Sequence, residues 1–99
     1  MRLFLSLAAA TLFTAATPAL AAPGVYLGVP AAASDDATLV TRNTVWHCNK
    51  DGCTASHEGQ RDMVMCQLLA RKVGTLTAFI VDGAALDEAA LAKCNARAG

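Results

Sequence analysis

The chain has 99 residues, of which 55% are hydrophobic and 16% are charged, and its formal net charge at pH 7 is zero. A chain this short holds one domain at most. So apolar a composition excludes intrinsic disorder, and the balanced charge gives no overall electrostatic attraction to nucleic acid or to an anionic membrane. Composition leaves a small globular or membrane-associated protein and does not identify an activity.

The N-terminal residues predict a secretory signal peptide. Arg2 is the only charged residue before Asp35, and an apolar run rich in Leu, Phe and Ala covers residues 3–16. A positive start, an apolar run of about 7–15 residues and a small-apolar-small cleavage sequence are typical of such a peptide. Residues 19–21 (Ala-Leu-Ala) supply the cleavage sequence. We expect cleavage after Ala21 and a periplasmic or secreted product.

An uncleaved membrane anchor is the alternative, because a spanning helix needs about 20 predominantly apolar residues and the uncharged stretch is that long. No basic stop-transfer cluster follows the stretch, and it is interrupted by Pro18, Pro23, Gly24, Gly28 and Pro30. A lipoprotein signal is excluded because lipid attachment needs a cysteine at the cleavage point, whereas the first cysteine is Cys48. We therefore expect no stable membrane anchor after cleavage.

Residues 22–37 are predicted to form an N-terminal segment and linker, and residues 38–99 a small α+β domain. Within the first part, residues 24–29 favour a short strand, expected at an edge of the sheet, and the remainder is of low complexity. Residues 38–48 are rich in Thr, Val and Trp, which favours a single strand. A turn ending at Gly52 and a returning strand over residues 53–56 complete a β-hairpin.

The apolar spacing becomes helical over residues 60–73. Asp62, Cys66, Leu69 and Val73 follow one another at spacings of four, three and four, which places them on one helix face. Gly74 is expected to form a left-handed C-terminal cap.

The C-terminal third predicts a strand and a second helix. Residues 75–81 are β-branched and aromatic, and the turn Asp82-Gly83 follows them. Asp87 is placed to cap a helix that runs to about Ala96, with Leu86 and Leu91 as a hydrophobic staple. The expected fold is a small disulfide-stapled α+β domain with the order β-hairpin, helix, strand, helix.

Four cysteines in a short exported chain indicate two disulfides. Cys48 and Cys53 flank the hairpin turn and are expected to lie opposite each other on neighbouring strands, within reach of a bridge. Cys66 and Cys94 lie on the apolar stripes of the two predicted helices. We therefore predict the pairs Cys48–Cys53 and Cys66–Cys94.

The sequence contains no motif of a known enzyme class. A thiol oxidoreductase needs Cys-x-x-Cys at a helix start, whereas the close pair here is Cys-x-x-x-x-Cys in a hairpin. We find no nucleophile elbow, glycine-rich phosphate loop or Cys/His nucleophile site. The adjacent residues Arg61 and Asp62 are better explained as a solvated helix start than as an acid–base pair. No cofactor and no catalytic residue is predicted.

A metal site is the main alternative. His47, Cys48, Cys53 and His57 offer two imidazoles and two sulfurs that suit zinc or copper. Strand alternation opposes this reading, because His47 points away from Cys48, and in an oxidising compartment the two sulfurs prefer each other.

The methionines and the tryptophan could each bind a ligand or simply pack in the core. Met63 and Met65 could hold copper(I), but they do not share a helix face, and core filling is the commoner use of methionine. Trp46 shares a strand face with Cys48 and is expected to pack over the bridge and not to form a ligand-stacking platform.

A pattern of residues runs through the chain from about Thr41 to Arg97. It consists of the run at 41–48, Gly52-Cys53-Thr54, Arg61-Asp62, Met65-Cys66, Val73-Gly74, Phe79 and the run at 91–97. In this pattern the region resembles a family of small, uncharacterised exported proteins of alphaproteobacteria. The resemblance implies export and a shared cysteine framework, and it implies no activity.

The sequence as a whole predicts an exported, disulfide-stabilised and non-catalytic protein with a binding or envelope-maintenance role. An envelope protein is the kind of partner expected, and nucleic acid is not. The alternative function is an envelope metal-binding protein that uses His47, His57 and cysteine thiols.

Overall fold

Six antiparallel strands and two helices form the part of the protein that the computed structural model describes, residues 24–99. The elements are β1 (Val25–Pro30), β2 (Thr38–Thr41), β3 (Thr44–Asn49), β4 (Gly52–Ser56), α1 (Asp62–Val73), β5 (Leu76–Val81), β6 (Ala84–Ala85) and α2 (Glu88–Asn95). The sheet order is β2-β3-β4-β1-β5-β6. The predicted α+β class is confirmed. The predicted signal peptide (residues 1–21) and its cleavage site lie outside the described residues.

β1 occupies the centre of the sheet, so its expected position at an edge is wrong. It pairs antiparallel with β4 on one side and with β5 on the other. Gly28 lies against α1, and a Cβ at this position would collide with the side chain of Leu69. The absence of a side chain therefore lets the helix pack closely on the strand. The sequence could not reveal this position, because both partner strands are distant along the chain.

Residues 38–48, expected as one strand, form β2 and β3. Arg42 and Asn43 make a tight turn between the paired residues Thr41 and Thr44, and Arg42 has a φ of 54°. The turn contains neither glycine nor proline, which are the usual signals of a chain reversal. The next turn lies within the predicted residues and pairs Cys48 with Cys53 as expected, but it is shorter, because Asn49 and Gly52 already pair as the ends of β3 and β4.

Both helices are present, with small differences at their ends. α1 starts two residues after the predicted Gln60, and its buried residues are Met65, Cys66, Leu69 and Ala70. The positive φ expected at Gly74 is present (87°), but its ψ of −164° is not that of a left-handed helical cap. At α2 the predicted cap is confirmed, because the Ala90 N–H donates to the Asp87 side chain at 2.8 Å.

The core lies between one sheet face and the helices. Its largest residues are Trp46, Tyr26 and Phe79, each with no exposed surface, and their rings lie within 6.3 Å of one another between centroids. Leu86 and Leu91 pack against this core and are partly buried. The other sheet face is not covered by the helices, and Val40 and Val45 are about half exposed there.

Both predicted disulfides are present. Cys48–Cys53 joins β3 to β4, with the Cα atoms 4.0 Å apart, and Cys66–Cys94 joins α1 to α2, with the Cα atoms 5.6 Å apart. Cys66 and Cys94 are fully buried. The second bridge therefore lies in the interior, between the two helices.

Removing the interhelical bridge is expected to destabilise the fold more than removing the hairpin bridge. The cysteines of the two pairs are 28 and 5 residues apart, and chain entropy assigns the bridges about 3.5 and about 2 kcal/mol. Urea unfolding measures the loss in the free energy of unfolding for each bridge, in the variants Cys66→Ala/Cys94→Ala and Cys48→Ala/Cys53→Ala. An equal loss, or a larger loss for the hairpin pair, would contradict this ranking.

Candidate functional site

His57 is the centre of a group of polar side chains at one end of the sheet. It follows β4, and its Nδ1 atom lies 2.8 Å from the Asp82 carboxylate, while its Nε2 atom lies 3.4 Å from that of Asp62. Its ring also stacks obliquely on Tyr26, with the centroids 4.6 Å apart. We call Tyr26, His57, Asp62 and Asp82 the histidine cluster.

Asp82 is positioned by the turn between β5 and β6. Its φ is 50°, a conformation that Asp tolerates better than most residues. Its Oδ1 atom accepts a hydrogen bond from the Gly24 N–H at 2.8 Å, and its Oδ2 atom faces His57. The hydrogen bond with His57 is the main cause that lowers the pKa of the Asp82 carboxyl, and partial burial opposes it. Asp82 thus joins the start of β1 to the loop after β4.

Tyr26 is the buried member of the cluster. Its hydroxyl donates to Asp62 Oδ1 at 3.0 Å and also lies 3.3 Å from the Gln60 carbonyl oxygen. Burial raises the pKa of Tyr26 well above its ordinary value of 10.0, and the hydrogen bond to Asp62 raises it further. Tyr26 is therefore a neutral hydrogen-bond donor at physiological pH.

The geometry of the histidine cluster favours bonding within the chain. Asp62 and Asp82 face different nitrogens of one imidazole ring, so the three groups do not converge on one point as metal ligands must. In the described residues, no group of three or more His, Cys, Asp or Glu side chains is arranged to hold a metal ion.

The structure separates the residues of the alternative metal site. His47 is exposed on β3 and pairs with Thr38 and Thr54. His57 contacts Tyr26, whose side chain belongs to the core on the helix side of the sheet. The two histidines therefore lie on different sides of the sheet. Cys48 and Cys53 are bonded to each other, so their sulfurs are not present as thiols.

Other singled-out residues have structural contacts. Trp46 is buried, and its Nε1–H donates to Thr41 Oγ1 at 2.8 Å, which confirms core packing. Met65 is 4% exposed and belongs to the core. Arg61 precedes α1 as its N-cap residue, while Asp62 accepts from Tyr26.

The histidine cluster was not predicted from the sequence. The turn at Asp82 was predicted and His57 was singled out, yet nothing in the sequence indicates that they meet. Their contact depends on β1 lying between β4 and β5, which brings the ends of these strands together.

The Asp82–His57 contact is expected to make part of the stability depend on acid pH. In the unfolded chain the carboxyl has a pKa of about 4, and in the folded protein its pKa is lower. The carboxylate therefore stabilises the fold at pH values above about 4, and this stabilisation is lost as the pH falls through the pKa of the folded state. Asp82→Asn should lower the urea midpoint at neutral pH and converge with the parent in strong acid. Asp51→Asn, in an exposed turn, is the control, and a pH-independent loss in Asp82→Asn would contradict the prediction.

Tyr26 is the single tyrosine of the chain, so tyrosinate absorbance reports on this residue alone. We expect the folded protein to ionise well above pH 10.0, because burial and Asp62 both oppose the charged form. Asp62→Asn should lower the midpoint and leave it above 10.0, since burial is the larger cause. Normal ionisation while the far-ultraviolet circular dichroism stays native would contradict this assignment.

In comparisons with known proteins, residues 9–96 match DUF8200, which is described as a family of unknown function. No curated protein and no solved structure shows a significant match. Among residues 24–99, neither helix is long and apolar enough to span a membrane.

Proposed function

The chain belongs to DUF8200, a family of unknown function, and we propose that this member is exported and acts by binding, without catalysis, in the periplasm or outside the cell. The observation that carries the proposal is the pair of closed disulfides. Such bridges form and persist in oxidising compartments. The alphaproteobacterial origin expected from the resemblance remains part of this proposal.

The hydrophobic core is small, so the fold depends on these bridges for much of its stability. The non-cysteine side chains with less than 2% exposure include three aromatic residues and two leucines, Trp46, Tyr26, Phe79, Leu69 and Leu76. A small domain of this kind gains only about 3–5 kcal/mol from its core. The bridges are of comparable magnitude, so a reducing compartment would leave little stability.

The histidine cluster gives no support to an acid–base role. Both ring nitrogens of His57 face carboxylates of the same chain, and the Tyr26 hydroxyl is buried and bonded to Asp62. These contacts hold the ends of strands together. The cluster is therefore explained by the stability of the fold.

Export and cysteine state can be tested together. The full chain is produced in a Gram-negative host, free thiols are alkylated in the intact cells, and the protein is analysed by native mass spectrometry with and without reductant. We expect a periplasmic product that lacks residues 1–21, weighs four hydrogens less than its reduced form, and takes up no alkylating agent.

A variant of the predicted cleavage site provides the control. Ala21→Asp removes the small residue that processing requires and should accumulate uncleaved. A cytosolic or alkylated protein would contradict the proposal. A stoichiometric zinc or copper adduct that His47→Ala or His57→Ala abolishes would support the metal-binding alternative instead.

A further inference from the structure

The outer side of α1 carries a groove that the proposed function does not yet use. Two adjoining cavities, of about 410 and about 240 Å³, share the lining residues Arg42, Val64 and Leu68. Arg61 lines the larger cavity, and Arg71 and Arg97 line the smaller one. We call these six residues the arginine groove.

The charged side chains that line this groove are all arginines. All four arginines of residues 24–99 line it, and none of the three lysines of that range, Lys50, Lys72 and Lys93, does so. None of the eight acidic residues of the chain, all of which lie in the described part, lines it either. The close ion pairs found in that part belong to His57, so none of the four guanidinium groups forms a close ion pair with a carboxylate there.

The floor of the groove is apolar. Arg61, the N-cap residue of α1, is followed by Val64, Leu68 and Arg71 at spacings of three, four and three, which places them on one side of the helix. Val64 and Leu68 are partly buried between the two arginines. At a rise of about 1.5 Å per residue, the two arginines are about 15 Å apart along the helix axis.

Separate elements bring the other two arginines to this stripe. Arg97 lies in the C-terminal tail, which runs back along α1, because the Gly99 N–H donates to the Ala70 carbonyl oxygen at 3.3 Å. Arg42 comes from the β2–β3 turn and has a φ of 54°. At such a turn Gly, Asn or Asp is preferred, so an arginine here is unfavourable for the backbone.

We infer that the arginine groove binds an extended acidic segment of a partner protein, with carboxylates at its ends and apolar side chains between them. The inference rests on the proposed binding role. Guanidinium groups bind carboxylates bidentately, and the order of charged and apolar residues in the groove complements such a segment. An extended chain spans about 15 Å in about five residues.

The shape of the groove favours a peptide over a lipid surface. Val64 and Leu68 lie recessed between the arginines and the β2–β3 turn, where a single side chain can reach and a flat bilayer cannot. Eight acidic residues elsewhere in the chain would repel an extended anionic surface.

Peptide arrays test this inference on the exported, oxidised protein. The probes are peptides in which two aspartates flank one to six leucine or valine residues, with matched arrays that carry asparagine for aspartate or serine for the apolar residues. We expect binding to the acidic apolar peptides, strongest with the aspartates about five residues apart and weaker at high salt.

Two double variants that remove the same charge, one inside and one outside the groove, test whether the peptide binds at the groove. Arg71→Gln/Arg97→Gln should weaken binding at least about tenfold, as expected for loss of charge-assisted hydrogen bonds. Lys50→Gln/Lys93→Gln removes the same charge outside the groove and should leave the affinity unchanged. An equal loss in both variants, or equal binding of the asparagine peptides, would overturn the inference.

A variant of Arg42 separates binding from folding. Arg42→Asn relieves the positive φ, which Asn tolerates better, so the Tm should rise by a few degrees while peptide affinity falls. Lys50→Asn makes the same change in the β3–β4 turn and should leave the affinity unchanged. An unchanged affinity for Arg42→Asn, in a variant that remains folded, would overturn the role of Arg42 in the groove.

The remaining outcomes also decide between the two proposals. Binding to phosphatidylglycerol vesicles without binding to the peptides would overturn the peptide assignment in favour of a lipid surface. An exported, oxidised protein with no preference for acidic peptides overturns the groove inference alone. A cytosolic, reduced protein overturns the proposed function whatever the peptides do.

Discussion

The Cys66–Cys94 disulfide is the contact on which the C-terminal part of the protein depends. α2 buries little of its own surface, and Cys94 is its only fully buried residue. Besides the bridge, the helix is held by the side chain of Asn95, which donates to the Leu76 carbonyl and accepts from the Leu76 N–H at 2.9 and 2.8 Å. The bridge and this amide fix α2 to α1 and to the first residue of β5, and they thereby fix the tail that follows.

A different constraint holds the N-terminal part. β1 lies at the centre of the sheet, so six residues that begin close to the predicted cleavage site pair with strands on both sides. Asp82 accepts from the Gly24 N–H and bonds to His57, so one carboxylate joins the start of β1, the loop after β4 and the β5–β6 turn. Tyr26 and Asp62 extend these contacts to the start of α1. The histidine cluster therefore closes the same end of the sheet at which the described chain begins.

The features that could be predicted from the sequence are those with local causes. The Cys48–Cys53 pair follows from a short hairpin, and the Asp87 cap follows from the residues beside it. The Cys66–Cys94 pair could be predicted because both cysteines lie on the apolar stripes of their helices. The central position of β1 and the contact of His57 with Asp82 depend on strand order and register, and no local pattern encodes these. The turn at Arg42 was missed because it contains neither glycine nor proline. The arginines of the groove are likewise spread from residue 42 to residue 97 and meet only in the fold.

A net charge of zero is a sum over the chain and says nothing about where the charges lie. The four arginines of residues 24–99 are gathered on one side of α1, so a chain without overall electrostatic attraction still has a local surface that favours anions. Completion of that surface requires Arg97, whose tail is positioned by α2, and α2 is docked through Cys66–Cys94. Because the position of Arg97 depends on this bridge, the arginine groove that we propose as a binding surface is complete only when Cys66 and Cys94 are joined.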